Sequence, residues 1–345
     1  MRMASQQLLA PQFDDPREIV SWMGPMQAQD YNYFRWALGI RQQNPWLKDV
    51  REAFDRGALF RLHLCRCTVH VVTHEDIHRL LPLYREQNLR TTMSWGKALN
   101  ITVSEEEHAE VLEAMKEILA GHSSLTREQI RQELLAQGFR AERKSMVQYI
   151  YRAEIEGVIC SGMMTGRHQS WMLLGDHVAK SREYSQEETL ALLAMKYFRS
   201  HSPASFDDFC WYTGLPKRQN RKAMELIAPE LQEVKIGETV MFVHRDARVS
   251  AGLERQVALL SPYDEYLIGY KSRYISLDKK FKARAHNDNG IFHPVVLYEG
   301  RVVGNWHSSI DKGGEKIVVE IFTRKREVTQ KRLESGMHRF REFCK

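Results

Sequence analysis

The feature that most constrains the fold is a run of three helices followed by two short strands, which occurs more than once. In its clearest copy, residues 105–120 carry apolar residues on one helical face, and the next helix opens with Thr126 and Gln129 at capping-box spacing. A third helix is predicted at 143–156. Two strand-like stretches end the copy, at 158–164 and 168–174 around a turn at 165–167. This order is typical of a winged helix.

The same order returns at residues 186–246. Its predicted helices cover 187–200, 205–214 with Ser205 as N-cap, and 216–227 with Pro216 in the first helical position. Its predicted strands cover 231–236 and 239–244. An N-terminal copy has helices near 15–23, 28–43 and 48–56, and strands at 58–64 and 67–72. Three copies in one chain are hard to produce by accident, so the sequence predicts tandem winged helices.

Beyond residue 250 the chain becomes rich in strands. Strand-like stretches with Gly and Asn at their turns precede a closing amphipathic helix at 325–343; they cover 256–261, 290–300, 301–306 and 316–322. The predicted class is therefore α+β, with tandem winged helices, a C-terminal β-rich domain and a terminal helix. The predicted domains are three winged helices and that last domain, at 1–100, 101–182, 183–250 and 251–345.

Composition excludes several classes of protein. Of the 345 residues, 43% are hydrophobic and 27% are charged, which fits packed globular domains rather than a disordered, collagen-like or coiled-coil chain. No apolar run approaches the roughly 18 residues of a membrane span, and the N-terminus turns polar too early for a secretory leader. The five cysteines lack a disulfide framework. We therefore expect a cytoplasmic protein without a membrane partner.

The net charge of +6 is too small to identify a partner, but basic residues are clustered. Residues 271–284 hold six basic residues against the single acidic Asp278. Such clusters, with tyrosines beside several of them, fit either solvated helix faces or contacts to the phosphates of double-stranded DNA. The candidate phosphate contacts in these clusters are Lys144, Lys217, Arg218, Arg221, Lys271, Arg273, Lys279, Lys280 and Lys282.

Four stretches of the chain resemble one known family. They are Met26-Gln27-Ala28-Gln29-Asp30, the arginine-bearing segment from Leu59 to Val72 with Thr68-Val69-His70, the stretch Leu260 to Tyr270, and Gly290 to Trp306. In order and spacing they resemble the bacterial winged-helix family that includes the AlkZ and YcaQ DNA glycosylases. The third position of the first motif is Gln29, as in the AlkZ branch.

The resemblance implies a monofunctional DNA glycosylase, without a cofactor, that hydrolyses the N-glycosidic bond of an alkylated base. Gln27 and Gln29 would position the attacking water and contact the deoxyribose. Because residues two apart do not share a helix face, the motif suits an extended or helix-entry segment, which Gly24-Pro25 permits. A simple methyl adduct, a bulky adduct and an interstrand crosslink all remain open as substrates, as does base flipping.

The predicted first hairpin would support this site. Arg61 and Arg66 would contact phosphates, and a turn or bulge decides whether both face DNA. Thr68 and His70 are candidate supporting residues. Asp264 is a third, unless it serves the turn after Pro262 or pairs with an arginine.

Two metal-site patterns compete with this interpretation. His74-Glu75-Asp76-Ile77-His78 matches the zinc-protease signature, but it lies at a helix opening without a third-ligand pattern downstream. His63, Cys65, Cys67 and His70 would put three donors on one strand face, yet structural zinc sites space cysteines differently. We therefore predict no metal.

A second functional hypothesis is a non-enzymatic DNA-binding protein or transcriptional regulator. The Gln27/Gln29 pair discriminates the two hypotheses, because a protein that only binds DNA does not need it. In either case we expect a monomer associated with the nucleoid.

Overall fold

The structure is a computed structural model that describes residues 1–101, 103–164, 168–178, 182–247, 249, 256–311, 314–322 and 328–345. The predicted turn at 165–167 and residues 325–327 of the predicted closing helix lie outside these ranges. In the described part the helices are α1 (Arg2–Ser5), α2 (Pro16–Met23), α3 (Phe34–Gly39), α4 (Leu47–Asp55), α5 (His74–Ala98), α6 (Glu105–Ala120), α7 (Arg127–Ala136), α8 (Arg143–Ile155), α9 (Gln186–His201), α10 (Phe206–Thr213), α11 (Lys217–Leu226), α12 (Glu265–Ile268), α13 (Lys282–Ala285) and α14 (Gln330–Cys344).

Helices and strands mix along the chain, as in an α+β protein. The strands are β1 (Met26–Gln27), β2 (Leu59–His63), β3 (Val69–Thr73), β4 (Leu125–Thr126), β5 (Ile159–Ser161), β6 (Ser170–Leu173), β7 (Leu231–Ile236), β8 (Thr239–His244), β9 (Val257–Leu260), β10 (Val295–Tyr298), β11 (Arg301–Asp311) and β12 (Gly314–Ile321). None of the helices in the described ranges is both long and apolar enough to cross a membrane.

The chain divides into two compact units. The split unit joins Met1–Val50 to Leu190–Lys345, and the continuous unit is Arg51–Thr189. These units do not follow the four consecutive predicted domains, because the N-terminal helices pack on the C-terminal sheet. The indole of Trp36 in α3 donates a hydrogen bond to Leu259 O in β9 (2.6 Å).

The sheet of the split unit is antiparallel, with strand order β12-β11-β10-β9. The ring of Phe340 in α14 lies 5.0 Å from that of Trp36 and 4.9 Å from that of Trp306 in β11, so α14 closes this core. The predicted strand at 290–300 is shorter than expected, since β10 begins only after Pro294, which has no N–H to donate to a ladder.

The same unit contains α9 from Leu190 onward, α10 and α11, followed by the hairpin β7–β8. The predicted cap is confirmed: Ser205 Oγ accepts the N–H of Asp208, whose carboxylate accepts the Ser205 N–H. Pro216 is the N-cap of α11 rather than its first residue, so this helix begins with Lys217.

The continuous unit holds α6, α7 and α8 around an apolar core that includes Met115, Ile130, Met146 and Tyr149. The predicted capping box of Thr126 and Gln129 is confirmed. The ribbon has a third strand that was not predicted, since β4 pairs with β6, giving the order β4-β6-β5. The 25-residue α5, of which only the opening was predicted, follows the hairpin β2–β3.

Candidate active site

The segment that carries the two motif glutamines is extended, not helical. Gly24, at φ +82°, ends α2, and Met26–Gln27 form the short strand β1. The predicted helix at 28–43 is reduced to α3, because Asp30 Oδ1 accepts the N–H groups of Asn32 and Tyr33 in a turn (2.9 and 3.0 Å). The expectation of an extended or helix-entry conformation for the motif is therefore met.

Two buried side chains hold the backbone of this segment. The hydroxyl of Tyr212 in α10 donates to Pro25 O (2.8 Å), and Glu265 Oε1 in α12 accepts the Gln27 N–H (2.5 Å). Gln27 is 5% exposed and Glu265 is 2% exposed, whereas Gln29 is exposed. One motif glutamine is thus buried, and the other is exposed to solvent.

Asp264 is engaged in an ion pair inside the split unit. Its two carboxylate oxygens accept hydrogen bonds from both Nη atoms of Arg41 (2.8 and 2.9 Å), and Oδ1 also accepts the Tyr266 N–H as N-cap of α12 (2.9 Å). Both side chains are buried. Of the alternatives left open for Asp264, the geometry favours capping and arginine pairing over assisting a water, and the arginine is Arg41.

The hairpin of the continuous unit turns at Cys65–Cys67, where Arg66 adopts φ +56° and is half-buried. Arg61, in β2, is only 3% exposed, and strand β2 is buried along its whole length. Its expected phosphate contact stays a prediction. Thr68 Oγ1 donates to Cys65 O within the turn (3.0 Å).

His70 is neutral and presents one acceptor nitrogen. Its Nδ1 lies 2.8 Å from Thr68 O, a pure acceptor, so Nδ1 carries the proton and Nε2 of the neutral ring is unprotonated. Burial, together with the positive charge of Arg66, lowers the pKa of His70 to about 3. The imidazole therefore supplies a buried acceptor and no positive charge at neutral pH.

His70 should make stability depend on pH. Because folding lowers its pKa from 6.5 to about 3, the unfolded chain binds the proton first as the pH falls. Its contribution is complete above pH 6.5 and is lost progressively toward pH 3. Between pH 6.5 and 5 we expect the free energy of unfolding to fall by about 1.6 kcal/mol more in wild type than in His70→Gln. Urea unfolding across this range measures the difference, and parallel curves for the two proteins would contradict it.

The candidate metal ligands have other partners. His63 Nδ1 lies 2.5 Å from Glu154 Oε2, and Cys67 Sγ lies 3.4 Å from Thr92 Oγ1. His63, Cys65 and Cys67 were predicted to share one strand face. Strand β2 ends at His63 and both cysteines lie in the turn, so the three side chains are not on one strand. His74 begins α5 and pairs with the adjacent Glu75 at 3.3 Å. Within the described ranges, no three His, Cys, Asp or Glu side chains are grouped to hold a metal ion.

The candidate phosphate contacts are mostly at the surface. Arg273 is half-buried and donates to Leu267 O (2.8 Å), while several of the lysines pair with exposed carboxylates: Lys271 with Asp207 (3.1 Å), Lys280 with Asp278 (3.4 Å) and Lys282 with Asp288 (2.6 Å). Exposed pairs of this kind contribute about 0–1 kcal/mol each. The exposed members of the set are Lys144, Lys217, Arg218, Arg221, Lys271, Lys279, Lys280 and Lys282.

Sequence reasoning did not identify Glu265 and Tyr212, whose side chains form hydrogen bonds with the backbone of the Gln-x-Gln segment. Glu265 was visible only as part of a motif stretch, and Tyr212 lies in a predicted helix without a distinguishing signal. Arg41 could not be matched to Asp264, since the two are 223 residues apart. The structure places Gln27, Asp264 and Glu265 in the split unit, and Arg61, Arg66, Thr68, His70 and Lys144 in the continuous unit.

Comparison with known proteins identifies a matching family and a solved structure with a similar fold. A family model described as DNA glycosylase AlkZ-like matches residues 20–343. Among solved structures, Streptomyces sahachiroi DNA glycosylase AlkZ has a TM-score of 0.76 at 22% identity, covering 99% of this chain and 94% of that chain, and at this identity the likeness concerns the fold. No curated protein matches the chain. On the family match across nearly its whole length, the chain belongs to the AlkZ-like family of DNA glycosylases.

Proposed function

We propose that this protein hydrolyses the N-glycosidic bond of an alkylated base, an N7-alkylated purine, in duplex DNA. The observation that carries the proposal is the Gln-x-Gln segment, extended and hydrogen-bonded through its backbone to buried side chains, in a chain of this family. Gln27 and Gln29 are the proposed catalytic residues.

The chemistry needs little more than a well-placed water. An N7-alkylated purine is cationic and leaves readily, so the sugar moves toward an oxocarbenium-like state without a strong base. A carboxamide offers one acceptor oxygen and two donor hydrogens, which suffice to orient a water and a deoxyribose. With water as the nucleophile, the enzyme is monofunctional: it leaves an abasic site and no covalent enzyme–DNA intermediate.

The predicted supporting residues on the first hairpin stay proposals. Neutral His70 can accept a hydrogen bond at Nε2, and Thr68 fixes the hairpin turn through its bond to Cys65 O. Arg66, at that turn, is a proposed phosphate contact. Arg61 stays a proposed phosphate contact, and we assign Asp264 to the Arg41 ion pair.

The three predicted copies are proposed winged helices, and in the two segments α6–α8 and α9–α11 the charges at the helix starts support this. In each segment the first helix opens with glutamates: Glu105–Glu107 in α6, and Glu187 and Glu188 in α9. The third helix instead opens with basic residues, Arg143 and Lys144 in α8, and Lys217 and Arg218 in α11. Cations at a helix N-terminus oppose the helix dipole by about 0.3–1 kcal/mol each. A bound phosphate would reverse that cost.

DNA affinity should fall steeply with salt. With Arg61, Arg66, Lys144, Lys217, Arg218, Arg221, Lys271, Arg273, Lys279, Lys280 and Lys282 as proposed contacts, Kd should rise about 1000-fold or more between 50 and 200 mM NaCl. Fluorescence anisotropy with a duplex oligonucleotide measures this.

A triple variant, Lys217→Ala/Arg218→Ala/Arg221→Ala, should lower the log–log salt slope by about 3. Lys116→Ala removes a lysine of α6 that pairs with Glu113 (2.6 Å) and lies outside the set, so it should leave the slope unchanged. A Kd that hardly responds to salt would remove the DNA-binding proposal.

The test of the function is base release. Duplex DNA with a single N7-methylguanine, a bulkier N7 adduct or an interstrand crosslink is incubated with the protein, and the free base and alkali-labile sites are measured against spontaneous loss. Release above that background, without strand cleavage before alkali, supports a monofunctional glycosylase. No release from any adduct, with salt-sensitive binding intact, would instead support the second hypothesis of a non-enzymatic DNA-binding protein. We propose that the protein acts as a monomer on nucleoid DNA in the cytoplasm.

A further inference from the structure

The catalytic segment is attached at two backbone points to side chains far away in sequence. Tyr212 is 187 residues from Pro25, whose carbonyl accepts its hydroxyl hydrogen, and Glu265 is 238 residues from Gln27, whose N–H it accepts. The two contacts lie on either side of Met26. Together they restrain both the position and the direction of the chain as it enters Gln27.

Glu265 lies in surroundings built to hold it. Its Oε2 lies 3.5 Å from Nε2 of His201, which is fully buried and stacks on Tyr197 at 4.6 Å between ring centroids. His201 Nδ1 lies 2.8 Å from Ser200 Oγ, so both ring nitrogens face a polar partner. Burial lowers the pKa of His201, and the Glu265 carboxylate opposes that shift. The carboxyl group therefore has His201 Nε2 beside one oxygen, without a hydrogen bond between them, while its other oxygen accepts the Gln27 N–H.

The close approach of these groups depends on Gly269 at the end of α12. A Cβ atom there would lie 2.7 Å from the backbone oxygen of Glu265 and 2.8 Å from His201 Nε2, so a larger residue would displace the His201 ring or the end of α12. A buried carboxyl group is costly unless its hydrogen bonds compensate, and an apolar residue would fill the same space at lower cost. The presence of the Glu265 carboxyl group at this point therefore indicates a role beyond packing.

We propose that Glu265, with Tyr212, is a positioning residue for base release: it holds the backbone of Gln27 so that the carboxamides of Gln27 and Gln29 meet the water and the sugar. The inference rests on the proposed function. Glu265 acts through the main chain and does not touch the substrate. A misplacement of about 1 Å at such a site can cost about 100-fold in rate.

Single-turnover base release and DNA binding, measured separately, test the role. Glu265→Ala should release the alkylated base about 100-fold more slowly than wild type, with an unchanged Kd for DNA. Glu265→Gln should recover most of the rate, because a carboxamide oxygen can still accept the Gln27 N–H. Tyr212→Phe should slow release by up to about tenfold, the equivalent of one hydrogen bond.

The matched control is Asp208→Asn in the same unit. Asp208 is a buried carboxylate that also accepts backbone N–H groups, those of Ser205 (3.1 Å) and Ser272 (3.0 Å), but none from the catalytic segment. Each variant is assayed below its melting temperature, with the folded fraction measured by circular dichroism. If Glu265→Ala does not fold, Glu265→Gln and Tyr212→Phe decide the matter.

The outcomes separate this inference from the proposed function. A wild-type protein without base release overturns the function itself. An active wild type with Glu265→Ala equally fast overturns the positioning role. A Glu265→Gln rate as low as that of Glu265→Ala also overturns it, because the charge rather than the hydrogen bond would then matter. An equal loss of rate in Asp208→Asn overturns it as well, because any loosening of the unit would then slow base release. A slow Ala variant, a recovered Gln variant and a normal Asp208→Asn support it.

Discussion

The double variant Gln27→Ala/Gln29→Ala should release an N7-alkylated base no faster than spontaneous loss, while it binds duplex DNA as tightly as wild type. Removal of both carboxamides leaves the water without a fixed orientation at the sugar. Positioning and proton-transfer effects of this kind together contribute at least about 1000-fold. Because the leaving purine is already cationic, few other groups contribute to the step, and the loss should be close to complete.

Single variants should show that the two glutamines differ. Gln27 is buried and its backbone is hydrogen-bonded to Glu265, so Gln27→Ala also leaves a small cavity and lowers stability. Gln29 is exposed, and Gln29→Ala should lower the rate without a change in melting temperature. The matched control is Gln12→Ala/Gln43→Ala, which removes two exposed glutamines of the same unit. Base release by the Gln27/Gln29 double variant at the wild-type rate would contradict the catalytic assignment.

Local signals predicted most of the helices. The caps at Thr126 and Ser205 mark helix starts through side chains that bond within three residues of themselves, so a sequence window contains the whole interaction. The hairpin strands at 231–236 and 239–244 agree with β7 and β8 for the same reason, since their turn at Gly237 is local.

Errors arose where a local bond competes with periodicity. The predicted helix at 28–43 failed because the Asp30 side chain caps a turn, and because the residues before it are held extended by Glu265. The four predicted domains stay a prediction. A compact unit assembled from both ends of the chain is beyond sequence patterns, since contacts such as that between Trp36 and Leu259 have no signature in a sequence window.

The residues of the proposed site stay predictions, and they came from different kinds of signal. Gln27 and Gln29 were identified by resemblance, because two glutamines at a strand carry no chemical signal of their own. Asp264 was singled out from the same kind of motif, but its partner, Arg41, lies 223 residues away. Glu265, one residue further on, accepts the Gln27 N–H and so contacts the Gln-x-Gln segment. Helix α12 begins at Glu265 with Asp264 as its N-cap, and this start decides which of the two carboxylates faces the motif. The sequence alone does not determine where so short a helix begins.

The largest expected effect on stability is at the Arg41–Asp264 pair. Both groups are buried, and Asp264→Ala leaves the Arg41 guanidinium without its carboxylate in the interior of the split unit. Breaking a buried pair from one side costs about 3–5 kcal/mol, because the remaining charge stays desolvated. Bonds from Arg41 to Ala37 O (2.7 Å) and Gln6 Oε1 (3.1 Å) compensate only part of that charge. Urea unfolding of wild type and variant measures the loss.

Replacement of both partners should be less harmful than replacement of one. Arg41→Met/Asp264→Leu removes the two charges together, so the free energy of unfolding should recover by several kcal/mol relative to Asp264→Ala, less the lost N-cap of α12, about 1 kcal/mol. Asp264→Asn keeps an oxygen for the Tyr266 N–H and isolates the loss of charge from the loss of the cap. A cost below about 1 kcal/mol for Asp264→Ala, the range of an exposed pair, would mean that Arg41 finds water or another partner. The buried pair would then not be what ties α12, and with it the Glu265 that holds Gln27, to the N-terminal helices.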